Sequence, residues 1–105
     1  MTDAADLNTG DNAFAPIDPK LTVFALANGI DLLKSEGLRR LIWFREGLER
    51  GLEIRSVDEG VYSIEAASWR TKTPDEAVTV SVSGGVPLPN LSEKLEAGIE
   101  VANSL

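Results

Sequence analysis

Apolar and polar positions along this chain recur with two different periods, and the switch between them sets out the expected elements. From Asp18-Pro19 onward, Val23, Leu26, Ala27, Ile30 and Leu33 return at the three- and four-residue spacing of one helix face. Asp18 as N-cap and Pro19 at the first helical position mark a start, because proline lacks the amide that goes unpaired there. Asn28-Gly29 interrupts the run and leaves open a turn between short strands, with residues 21–26 as the first. Helix is favoured because Leu26, Ile30 and Leu33 keep the period across the glycine. Ser35-Glu36-Gly37 reads as a kink or as the start of a second helix.

The stretch from Leu38 to Arg50 has the broadest apolar arc. Leu38, Leu41, Ile42, Trp43, Phe44 and Leu48 fall on one side, with Arg39, Arg40, Glu46, Glu49 and Arg50 mostly opposite. Glu36–Arg40 and Glu46–Arg50 stand at i,i+4 with the acid first, the favourable order on a helix. Gly51 fits a left-handed C-terminal cap with Leu52 closing over it.

After Gly51 the period becomes two. Leu52 and Ile54 point one way and Glu53 and Arg55 the other; Asp58-Glu59-Gly60 supplies a hairpin loop. Tyr62, Ile64 and Ala66 form the inward side of a second strand, with Tyr62 half-buried and Glu65 turned outward. Pro74 marks the next turn, and residues 77–83 are a third strand with Val78, Val80 and Val82 inward. Gly84 to Asn90 is a loop, and Leu91, Leu95, Ile99 and Ala102 predict a closing helix. The expected fold is α+β in two layers: an N-terminal helix or broken helix pair, a three-stranded antiparallel meander and a C-terminal helix. Residues 1–18 read as a flexible acidic tail on which Phe14, Pro16 and Ile17 offer docking points; residues 19–105 form a single domain.

Composition narrows the chemistry. The 105 residues include no cysteine and no histidine, so thiol nucleophiles, imidazole bases and the soft metal ligands are absent from the chain. The net charge of −7 is uneven: residues 1–18 carry four acids and no base, while residues 34–55 carry six basic residues against four acids. That balance suits the phosphate backbone poorly, so nucleic acid is not an expected partner. No apolar run approaches the length of a membrane span, the acidic start is unlike a secretory signal, and the lack of cysteine agrees with a cytoplasmic setting. In size, acidity and lack of cysteine the chain resembles bacterial secretion chaperones, a likeness that rests on no motif.

Candidate sites are few. Arg39, Arg40, Trp43, Phe44 and Arg45, joined in space by Trp69 and Arg70, offer cations and aromatic faces for an anionic or planar ligand or for a protein partner. Ordinary helical amphipathicity accounts for the same residues as core and solvated face. Ser83-Gly84-Gly85 lacks the lysine of a phosphate-binding loop, and Pro87 and Pro89 remove two amides from the cradle. Asp58-Glu59 and Asp75-Glu76 sit at turns, where carboxylates are commonplace, and have no metal-binding spacing. The expectation is therefore a small non-enzymatic binding or adaptor protein without cofactor or metal. It would self-associate as a homodimer through the 38–50 helix, whose apolar arc is wider than one small sheet covers. The alternative is a small-molecule binding protein or accessory enzyme subunit built on the Arg/Trp cluster.

Overall fold

Three Glu-Gly pairs, at residues 36–37, 46–47 and 59–60, decide the architecture, because each closes a hairpin. In the computed structural model, which describes residues 13–105, the helix α1 (Asp18–Asn28) is followed by β1 (Asp31–Ser35), β2 (Leu38–Arg45), β3 (Leu48–Asp58), β4 (Val61–Arg70) and β5 (Thr73–Pro87). A short 3-10 turn (Leu88–Asn90) then leads into α2 (Leu91–Asn103). The strands lie in the order β1-β2-β3-β4-β5, every neighbouring pair antiparallel. At Glu46-Gly47 both residues take positive φ, 54° and 82°. That is the conformation of a two-residue hairpin turn whose twist matches the flanking strands, and glycine at its second position adopts it without strain.

The fold is α+β as expected, but the three-stranded meander is wrong: the sheet has five strands. Residues 31–35 and 38–45, expected as helix, are β1 and β2, and β3 takes in the rest of the supposed 38–50 helix. Gly51 caps nothing; it lies in the middle of β3. The physical reason is visible in β2. Leu41 and Trp43 face the helices while Ile42 and Phe44 face the opposite side, so apolar residues occupy both parities and the run imitates a wide helical arc. The first helix ends where the sequence placed an interruption. Gly29 is left-handed, its N–H donates to the Leu26 carbonyl, and the Ile30 N–H donates to the Ala25 carbonyl at 2.9 Å.

Both helices pack on one face of the sheet. α2 lies across β3, β4 and β5, and α1 lies against β1. Leu41, Leu52, Ile54, Tyr62, Ile64, Ala66 and Val86 meet Leu21, Ala25, Leu91, Leu95 and Ala102 in one core. Phe14 and Ile17 join it, both fully buried. Residues 1–12 of the expected tail lie outside the described residues; for residues 14 and 17 the docking option is the one realised. Tyr62 is buried rather than half-buried, and its hydroxyl donates to the Ala13 carbonyl at 2.8 Å.

Two arginines are buried on the helix-facing side. Arg39 grips Asp18 through two N–H donors, Nε to Oδ1 at 2.8 Å and Nη2 to Oδ2 at 3.1 Å, and its guanidinium lies 4.4 Å over the Phe14 ring. Arg50 donates to the Ala102 carbonyl at 2.6 Å and to the Arg45 carbonyl at 3.1 Å. The first of these places a cation at the C-terminal end of α2, where the helix dipole is negative.

Candidate functional site

Alternation along the strands splits the expected Arg/Trp cluster between the two faces of the sheet. Arg39 and Trp43 lie on the helix side, where Arg39 holds Asp18 and the Trp43 indole N–H donates to Asn103 Oδ1 at 2.9 Å. Both side chains are engaged within the fold. Arg45 pairs with its neighbour Glu46 at 3.5 Å on the exposed end of β2, and Arg70 is exposed at the end of β4. Arg40, Phe44 and Trp69 remain for the opposite face, over which no described residue packs a helix.

The register arranges this open face in rows. Phe44, Glu49 and Trp69 make one row across β2, β3 and β4. Ile42, Gly51, Ala67 and Thr79 make the next, from β2 to β5. Arg40, Glu53, Glu65 and Ser81 make the third. The face thus carries an apolar band of mostly small residues between a mixed row and a charged one. In the charged row Glu53 accepts from Arg40 at 3.2 Å and from Arg55 at 3.0 Å.

Gly51 gives the band its depth. A Cβ there would stand 3.1 Å from the Leu41 carbonyl oxygen, 3.2 Å from Trp69 Cη2 and 3.4 Å from Cζ3. The indole therefore lies across the strand where glycine leaves room for it. Beside the ring opens a trough of about 270 Å³, lined by Ile42, Gly51, Ala67, Trp69, Ala77 and Thr79, with Arg40 and Glu53 at its edge. A second apolar groove of about 520 Å³ runs between the helices, past Val23, Phe24 and Ala27 to Glu96.

Sequence reasoning named Arg40 and Trp69 but missed Ile42, Gly51, Ala67 and Thr79 as their company. The available signal was the Glu46-Gly47 hairpin, which pairs Ile42 with Gly51 once it is read as a two-residue turn. The acid pairs stay apart, Asp58-Glu59 at the β3–β4 turn and Asp75-Glu76 exposed on β5. Among the described residues no three acidic side chains gather in a way that could hold a metal ion, and no helix is long and apolar enough to cross a membrane. In comparisons with protein families, characterised proteins and solved structures, the chain matches none.

Proposed function

We propose that this protein is a non-enzymatic binding module that works as a homodimer and receives an apolar side chain of a protein partner in the trough of its open sheet face. The observation that carries this reading is the Trp69 ring seated over Gly51, with Ile42, Ala67 and Thr79 completing an apolar floor across four strands. Its volume of about 270 Å³ lies below the roughly 300–1,000 Å³ typical of small-molecule sites and suits one large side chain. A half-buried tryptophan beside an arginine is also a residue pairing enriched at protein–protein hot spots.

The alternative, an anionic or planar ligand on the Arg/Trp cluster, has less support. Arg39 and Trp43 are engaged on the other face, and Arg40 is already held by Glu53. Selection from a displayed peptide library on the full chain tests the proposal. Enriched peptides should carry a large apolar residue, shift the amide resonances of Ile42, Gly51, Ala67 and Thr79, and lose at least tenfold in affinity for Trp69→Ala. Binding that maps to the helix layer, or that survives Trp69→Ala unchanged, would overturn it.

A further inference from the structure

The two edges of the sheet are guarded very differently. β1, at one edge, has five residues, among them Asp31 and Lys34. Short length and charge are the usual means by which a free edge avoids pairing with another chain. β5, at the other edge, runs for fifteen residues from Thr73 to Pro87 and, among the described residues, is hydrogen-bonded to a strand on one side only. From Ala77 to its end it carries no charged residue. Val78 and Val80 are 54% and 40% exposed, although their parity places them on the same side as the buried Ala66 and the partly buried Val82. Pairing with β4 is regular from Val78 to Ser81 and irregular on both sides of that stretch. The open edge is therefore straightest where the exposed valines stand.

We infer that β5 is the homodimer interface, pairing antiparallel with β5 of a second copy about a two-fold axis at Val80. This rests on the homodimer reading above and names its surface, in place of the supposed 38–50 helix, which does not exist. The choice of a second copy comes from the strand's self-complementarity. Val80 is the midpoint of β5 and lies within its regular stretch, so in this register the centre of the strand faces itself. Val78 of each protomer then stands opposite Val82 of the other, and Val80 opposite Val80. The valine row is continued on one face, where cross-strand β-branched pairs stabilise a sheet. Asp75 and Glu76 fall opposite Gly85 and Gly84, so the only acids of the strand meet positions without side chain or charge. A two-fold operator is the commonest in soluble oligomers, and an isologous contact of this kind closes on itself. The joined sheet has ten strands, and its two troughs open on one continuous face, since Ala77 and Thr79 line each trough from the β5 side.

Sedimentation equilibrium of the full chain at micromolar and higher concentration should give twice the 11.3 kDa monomer mass. Val80→Lys should return a folded, cooperatively unfolding monomer whose melting temperature no longer depends on protein concentration, whereas Val23→Lys on α1 should leave the dimer intact. The chain has no cysteine, so Val80→Cys provides a unique thiol. Directly opposed residues of a strand pair approach closely enough for a disulfide. Mild oxidation should therefore link Val80→Cys into a covalent dimer within minutes, and Val23→Cys should not link. A monomer at every concentration would overturn both the homodimer reading and this interface. A dimer that survives Val80→Lys and fails to cross-link at Val80→Cys would overturn the interface alone. Retention of selected peptides by monomeric Val80→Lys would separate the trough from the dimer.

Discussion

Asp18→Asn is the sharpest single test of how the N-terminal segment is held to the sheet. The carboxylate of Asp18, at the start of α1, accepts two N–H donors from Arg39 of β2 at 2.8 and 3.1 Å, and the arginine side chain is 2% exposed. The amide keeps the shape and removes the charge, so the buried guanidinium loses its ion pair with Asp18. Breaking a buried pair by neutralising one partner costs about 3–5 kcal/mol. The Asp18 side chain is 22% exposed, so water reaches it and the cost falls to about 2–3 kcal/mol. For a chain of this length that corresponds to a fall of about 10–20 °C in melting temperature. Arg39→Met, which keeps apolar contact with Phe14 and leaves a carboxylate that water can solvate, should cost less, about 1–2 kcal/mol. Urea unfolding of the two single variants and the double variant gives the coupling directly, expected at about 1.5–3 kcal/mol. The loss should change little with added salt, because the pair is shielded from it. An Asp18→Asn variant within about 0.5 kcal/mol of the parent would show that the pair does not anchor α1, and the reasoning from burial would fail.

Deleting residues 1–17 removes the buried Phe14 and Ile17, and by the cost of comparable core truncations should lower stability by at least about 3 kcal/mol in denaturant unfolding. Tyr62 has its pKa raised above the ordinary 10.0 by burial and, secondarily, by the negative charge of Asp18. The folded state therefore holds the phenolic proton more tightly than the unfolded chain, and stability present below pH 10 should decline as pH rises from 10 toward the folded value. Tyr62→Phe should abolish that alkaline slope while costing about 1 kcal/mol at neutral pH for the lost bond to the Ala13 carbonyl. Gly51→Val, in a Trp43→Phe background so that only Trp69 emits, should shift the fluorescence to the red. The new side chain meets the β2 backbone on one side, so the indole must give way.

Several elements were legible from local chemistry alone. Residues 52–66 alternate cleanly because β3 and β4 bury one side against the helices while Glu53, Arg55, Ser63 and Glu65 meet the open face. The closing helix announced itself through Leu91 and Leu95, both buried, and the first through Pro19 in its first turn, although Ile17 is the N-cap and Asp18 spends its carboxylate on Arg39. The lack of imidazole and thiol chemistry is likewise a property of the sequence by itself. What only the tertiary structure decided lies where both faces of a strand are apolar. Residues 38–45 satisfy a helical arc and a two-faced strand equally well, and the choice was made by the Glu-Gly turns on either side and by pairing with distant residues of β3. Tertiary packing likewise buried Phe14 and Ile17 and separated Trp43 from Trp69. It also brought Gly51 beneath an indole eighteen positions away. Local propensity is read over a few residues, whereas a trough built across four strands exists only when register aligns residues far apart in the chain.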